Sequence, residues 1–354
     1  MNLTVLSVAF WLTAVGPGSV GGAEQILMQI DRGLVRRGHR SLVIARPESN
    51  VEGTLIPTLA LDSRVSTETW RKAHDGVRRA MAYAIERYPV DIVHMHALHF
   101  ANYFPPGDVP TLVTLHMPLS WYRGEELKVS RANTYFHCVS RSQRELHPTE
   151  ISFLPDIENG VASELLSGTG HIRKRNHAVL LGRICPEKGF HLGLQATKRA
   201  GVAAFLAGQV FPFEEHERYF REKIVPELDR ERRYLGPVAL RRKRRLLASA
   251  RCLLVTSLVP ETSSLVAREA LACGTPVVAF ALGALPEIIQ HGKTGFLVER
   301  EAELAEAIHA CAELDPAECK RTAEQRFSSS RMVESYIASY RRILECSKRK
   351  LPSA

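Results

Sequence analysis

Short apolar runs and amphipathic stretches alternate along this chain. Residues 3–10 form an apolar run of strand length. A glycine-rich loop follows and ends in Gly21-Gly22-Ala23-Glu24, after which Ile26, Leu27, Ile30 and Leu34 recur at helical spacing up to the stop at Gly38. Residues 41–45 read as the next strand and 67–88 as mostly helix. Pro89-Val90-Asp91-Ile92-Val93-His94-Met95-His96 reads as a strand ending in histidines, and 111–116 and 135–139 as two more strands. Strands alternating with helices predict a parallel sheet covered on both faces, and such sheets meet ligands at the carboxyl ends of their strands. His96 and His116 therefore point to a crevice, although a strand-end histidine also serves as hydrogen-bonding scaffold.

Residues 159–170 are irregular and rich in glycine and polar residues, and Arg173-Lys174-Arg175 follows; that is linker composition. Alternation then restarts. Strands are predicted at 178–181, 203–206, 234–238 (a short edge strand) and 252–255, with helices from near Phe190, over 214–230 and over 240–249. Residues 260–280 read as loop, helix, turn and strand. Thr262, Ser263 and Ser264 are N-cap types, 265–272 are good helix formers, Gly274 is the cap beyond the helix, and Pro276 stops it. A strand at 294–298 closes the second sheet, and amphipathic helices follow at 301–314 and 331–348.

Length turns two sheets into two domains, because 354 residues exceed what one core serves. The apolar opening, residues 3–15, has no basic flank, is broken by Gly16-Pro17-Gly18 and is too short to span a bilayer, so it reads as strand and loop. Seven scattered cysteines without a C-x-x-C read as reduced thiols of a cytoplasmic protein, with no zinc site.

The candidate chemistry gathers in the second half. A helix N-terminus behind small residues is an anion site, since its first amides lack internal acceptors. A diphosphate on the amides of Leu265 and Val266, beside Ser264, would have Glu261 just ahead of it. Glu269 would lie about 7 Å further along the helix, at 1.5 Å per residue. Carboxylates on both sides of a diphosphate suit a ligand with hydroxyls at both ends, as a nucleotide-sugar has. Taken alone, both also fit exposed helix-end charges. Arg183 and Lys188, five residues apart in the loop Gly182-Arg183-Ile184-Cys185-Pro186-Glu187-Lys188-Gly189, can meet one anion, the former as a fork and the latter as a point charge. Alone, that loop is equally a solvated basic turn.

The ordered series G-G-A-E, D-I-V-H-M-H-A, T-L-H-M, N-G-V, G-R-I-C-P-E-K-G-F, Y-L-G-P-V and E-T-S-S-L-V-A-R-E-A-L-A-C-G-T-P-V-V-A resembles glycosyltransferase family 4 from Gly21 to about Tyr340. The last block, with two glutamates eight positions apart before A-C-G-T-P-V-V-A, is the most specific. The resemblance implies an α/β chain of two facing Rossmann-like domains (the GT-B arrangement) with the donor cleft between them. The divisions would be 1–165, 171–325 and a final helix, 326–354, crossing back to the first domain, with 159–170 as hinge. It implies a retaining transfer from a nucleotide-diphosphate-sugar, most often a UDP-sugar, with no cofactor. By position, Gly22 resembles the glycine whose amide meets the diphosphate, and Arg183 and Lys188 the pair that neutralises it on departure. Val238 resembles the contact to the nucleobase, Glu269 the ribose-binding carboxylate, Glu261 the one that holds the transferred sugar, and His116 the histidine reaching that sugar. Many relatives carry an aromatic and a glycine after Glu261 where this chain has Ser263 and Ser264, so the sugar itself is not inferred. No D-x-D pair is present as a Mg²⁺ handle. The resemblance implies metal-free, front-face chemistry in which the leaving phosphate helps to take the acceptor's proton.

The net charge of +9 is uneven. Residues 1–170 hold 16 basic and 17 acidic residues, so the excess lies in the second half, most densely at Arg241-Arg242-Lys243-Arg244-Arg245. Such a surface suits peripheral contact with the inner face of an anionic membrane, or a solvated helix face that attracts an anionic donor. No aromatic-interleaved basic motif accompanies it, which argues against nucleic acid. The acceptor has no readable code. A sugar-nucleotide epimerase or hydrolase would need the same diphosphate site, and a non-catalytic nucleotide-sugar-binding subunit is the reading from another class.

Overall fold

Two six-stranded parallel sheets carry the chain, which is described here as a computed structural model over residues 2–19, 21–59, 66–122, 124–128, 131–146, 152–167 and 172–350. The first sheet contains β1 (Thr4–Val8), β2 (Arg40–Ala45), β3 (Thr54–Pro57), β4 (Ile92–Met95), β5 (Thr111–Leu115) and β6 (Thr134–Cys138), in the order β3-β2-β1-β4-β5-β6. The second contains β7 (His177–Leu181), β8 (Ala203–Ala207), β9 (Arg232–Tyr234), β10 (Cys252–Val255), β11 (Val277–Phe280) and β12 (Gly295–Val298), in the order β12-β11-β10-β7-β8-β9. Strands β1, β4, β5, β10 and β11 are buried along their whole length. Helices on both faces demand this, and it is why these strands read as continuous apolar runs rather than alternating ones. The strand order reverses between β1 and β4 and again between β7 and β10, and each reversal opens a crevice at the strand carboxyl ends.

The chain forms two units, Met1–Asn159 with Ser329–Ala354, and Gly160–Ser328. Each is a Rossmann-like α/β domain. The final helix, Ser329–Lys350, crosses back to the first unit and packs on helix Gly22–Arg36. That contact depends on Gly33, where an added Cβ would stand 2.5 Å from a Val333 methyl.

Several elements differ from expectation. The edge strand predicted at 234–238 lies instead at β9. Gly236 takes a left-handed φ of 68° after it, so the chain turns and Val238 sits in a loop. β3 was not foreseen because its residues are only partly buried, and helix Pro316–Phe327 was not foreseen ahead of the last helix. The helix predicted at 301–314 is α-helical only over Leu304–Ala310, between 3-10 turns. The stretch read as linker belongs largely to the second unit. Val161 donates its amide to the Phe327 carbonyl at 2.7 Å, Ser163–Ser167 is helical, and Leu166 is buried in the core of that unit. Gly168-Thr169-Gly170 lie outside the described residues. Lys174, part of the basic run read as linker, donates to Thr275 Oγ1 at 2.6 Å, and burial lowers its ammonium pKa to about 8.

Candidate active site

The crevice of the second unit is built from the loops that follow β7 and β10. After β7 the chain runs through Arg183 into a 3-10 turn, Pro186–Lys188. After β10 it runs from Thr256 to Ser264. Backbone ties lock the two loops together: Leu258 N donates to the Glu187 carbonyl at 2.7 Å, and Thr256 Oγ1 to the Lys188 carbonyl at 3.2 Å. Lys188 Nζ consequently reaches Glu261 Oε1 at 2.5 Å, and the Ser257 hydroxyl donates to the same oxygen. Glu261 is held from behind as well. Ala284 N donates to its carbonyl at 2.8 Å, beside Gly283. Gly283 has φ 60°, and any Cβ there would fall 2.3 Å from that carbonyl oxygen, so only glycine fits.

Helix Leu265–Ala272 starts from this loop. Ser264 occupies its N-cap position, but the expected cap is not formed. Its φ of 42° and ψ of 73° are left-handed, no side-chain bond caps the helix, and the buried hydroxyl has no hydrogen-bond partner. The turn is instead clamped from the helix itself. The wholly buried Arg268 donates to the carbonyl and to the hydroxyl (2.5 Å) of Ser263, while its guanidinium lies 4.9 Å over the Phe327 ring. The amides of Leu265 and Val266 belong to the first helical turn and have no acceptor four residues back within the helix.

Glu269, one turn further, is paired with a residue the sequence reading passed over. Lys243 Nζ meets Glu269 Oε1 at 2.5 Å, and the two side chains are only 15% and 8% exposed. In the sequence Lys243 is one of five consecutive basic residues. Its spacing of four from the buried Leu247 marks it as inward-facing on helix Leu240–Ser249. Val238 stands half-buried in the loop before that helix. Arg183 is exposed; its carbonyl accepts from Cys185 Sγ at 3.6 Å, and its side chain has no hydrogen bond or ion pair among the described residues. The second unit thus carries Arg183, Lys188, Val238, Glu261, Ser264, Leu265, Val266 and Glu269 on loops and one helix that follow the carboxyl ends of β7, β9 and β10.

Gly22 and His116 belong to the first unit. Gly22 opens helix Gly22–Arg36 behind Gly21, with no side-chain cap. Two positions on, Glu24 is buried and accepts from Thr13 Oγ1 at 2.6 Å, and desolvation raises its carboxyl pKa. His116 follows β5 and lies in a cluster of buried imidazoles. His96 Nδ1 is 3.0 Å from His116 Nε2, and His94 joins Tyr340 Oη and Thr114 Oγ1, both at 2.7 Å. Thr114 Oγ1 also meets His137 Nε2 at 2.6 Å. Burial depresses all four rings, His116 to about 3 and His137 to about 4, so they are neutral near pH 7.

No helix among the described residues is long and apolar enough to cross a membrane. Two family models match the chain: Glycosyltransferase Family 4 over residues 20–153 and Glycosyl transferases group 1 over residues 175–313. The alpha-maltose-1-phosphate synthase of Mycobacterium tuberculosis is 28% identical over 316 residues, 79% of either chain. Among solved structures, a sucrose-phosphate synthase from Thermosynechococcus elongatus matches with a TM-score of 0.80 at 20% identity, covering 98% of this chain and 100% of that one. HepE from Anabaena, solved in complex with UDP and glucose, matches with a TM-score of 0.73 at 20% identity, covering 96% and 99%. The paired motif blocks, one in each Rossmann-like domain, and the two family models that between them take in most of the chain lead to one conclusion: this chain belongs to glycosyltransferase family 4.

Proposed function

We propose that the chain transfers a sugar, with retention of its anomeric configuration, from a nucleotide-diphosphate-sugar to an acceptor. The observation that carries this is the pair Lys188–Glu261, seated at the start of helix Leu265–Ala272 with Glu269 one turn beyond. A donor diphosphate competes with Glu261 for the Lys188 ammonium. As Lys188 turns to phosphate, the released Glu261 oxygen accepts from a sugar hydroxyl, so one ion pair is exchanged for two substrate contacts. Arg183, whose side chain has no partner among the described residues to give up, adds a second cation, and the helix amides add dipoles. Together these supply the charge stabilisation that Mg²⁺ gives in other transferase folds, so the reaction is read as metal-independent. Glu269 takes the ribose, Val238 the base, Gly22 the diphosphate from the first unit, and the neutral His116 ring the sugar. A UDP-sugar is the proposed donor, in keeping with the UDP and glucose bound by HepE. Seven unpaired thiols fit a cytoplasmic setting.

Isothermal titration with a panel of nucleoside diphosphates, followed by transfer assays, tests the assignment. Glu269→Ala should weaken the free nucleotide, by roughly 1.5–3 kcal/mol for one charge-assisted hydrogen bond. Glu261→Ala should spare free-nucleotide binding while transfer collapses. Equal weakening by both substitutions would remove the division between ribose and sugar carboxylates.

A further inference from the structure

The loop after β7 holds a second constellation that the transfer chemistry leaves unused. Cys185, Glu187 and His216 each offer a ligand atom, and the three atoms lie within 4.8 Å of one another. Cys185 and His216 are buried, and the Glu187 Oε2 and His216 Nδ1 atoms are sealed from solvent without any hydrogen-bond partner. Two orphaned polar atoms on residues clustered with one thiol, itself in a long 3.6 Å contact with the Arg183 carbonyl, call for a partner, since each unsatisfied group costs about 1–3 kcal/mol. Tetrahedral coordination at ordinary zinc bond lengths puts ligand atoms about 3.3–3.6 Å apart, a contraction within reach of side-chain rotation.

We infer that Cys185, Glu187 and His216 form a binding site for a borderline divalent cation of the Zn²⁺ type. The donor set chooses the metal. A thiolate and an imidazole beside one carboxylate suit Zn²⁺ or Co²⁺ and not the oxygen-loving Mg²⁺ or Ca²⁺. Binding converts the Cys185 thiol to thiolate and releases its proton to solvent, with no change of oxidation state. The thiolate and carboxylate charges cancel the 2+ of the ion. The filled centre is therefore neutral, one unit more positive than the empty site with its Glu187 carboxylate, beside Arg183 and Lys188. Three protein ligands leave the fourth position to water. His216 belongs to helix Glu214–Tyr219, whereas the other two ligands flank Pro186 in the phosphate-facing loop, so the ion would pin loop to helix.

The test uses the full chain and Co²⁺ as a spectroscopic probe, with Zn²⁺ competition. One equivalent of Co²⁺ should give a thiolate-to-metal charge-transfer band in the near ultraviolet. Zn²⁺ should displace it and raise the melting temperature, while Mg²⁺ should do neither. Cys185→Ser should abolish the band. His216→Ala and Glu187→Gln should each weaken binding at least tenfold, with the metal-free melt of each variant showing that it is folded. A band that survives Cys185→Ser would place the metal on another thiol, such as the exposed Cys346, and overturn the assignment. So would the absence of any band in the unaltered chain. Neither outcome touches the nucleotide titrations, because Glu261 and Glu269 are not ligands.

Discussion

Ser264 is the only non-glycine residue with positive φ among the described residues, and its hydroxyl is buried without a partner. A left-handed non-glycine residue costs about 1–2 kcal/mol, which glycine would not incur. Ser264→Gly should therefore raise the melting temperature, by the few degrees that about 1 kcal/mol gives in a domain of this size. An unchanged or lower melting temperature would mean that the serine contributes something its missing hydrogen bond does not reveal. Lys188 illustrates the other use of a residue. Its cation opposes a diphosphate that gains charge as the sugar leaves, so Lys188→Ala should lower kcat by on the order of 100-fold and raise the donor KM much less. An effect confined to KM would reduce Lys188 to a binding group. At this scale the placement of Glu269 within helix Leu265–Ala272 and of Glu261 in the loop ahead of it was legible from the run of helix formers at 265–272. Lys243 was not, because one inward cation in a run of five is distinguished only by the rotation of its helix, which composition does not encode. The left-handed turn at Ser264 was hidden for a related reason: serine is an ordinary N-cap, and nothing local announces that Arg268 takes over the clamping.

Among the elements, the long buried strands and amphipathic helices could be read from periodicity, while β3, β9 and helix Pro316–Phe327 were missed or misplaced. β3 and β9 are short strands at sheet edges, half-exposed and without a full apolar run. Helix Pro316–Phe327 shows a polar face too broad to stand out, although Asp315 caps it through the Ala317 amide at 2.8 Å. The strand ends of the first sheet carry an energetic consequence. His94, His96, His116 and His137 are depressed by burial below their ordinary value of 6.5. The unfolded chain therefore takes up protons first. Their contribution to stability is complete above about pH 6.5 and is lost as the pH falls below it. Glu24, raised by burial, works in the opposite sense, so the net slope is shallower than four rings would give. Urea midpoints measured between pH 7.5 and 5 should fall steadily, and a flat profile would show these rings to be solvated.

At the level of the whole molecule, the near-neutral first half and basic second half were plain from the sequence, and so was the division into two sheets. The course of the last helix was legible only through family resemblance, because no local pattern says which unit an amphipathic helix will join. Its docking has a side-chain logic: Tyr340 meets His94 at 2.7 Å and Tyr336 meets Thr114 at 3.3 Å, filling the polar centre of the first unit. A chain stopped at Ser328 should leave the second unit folded and the first exposed to protease. Equal resistance of both units would show that the helix is dispensable.

That arrangement has a consequence for the order of events on the ribosome. The second unit is one contiguous stretch, Gly160–Ser328, whereas the first begins at Met1 and is completed only by Ser329–Ala354. Domains fold as units while the chain emerges. Here the segment made first must wait, with Gly33 and the imidazoles of His94 and His137 uncovered, until more than 160 residues of its neighbour have been made. The half synthesised later is thus free to fold first, while the N-terminal half stays incomplete until the last helix is made.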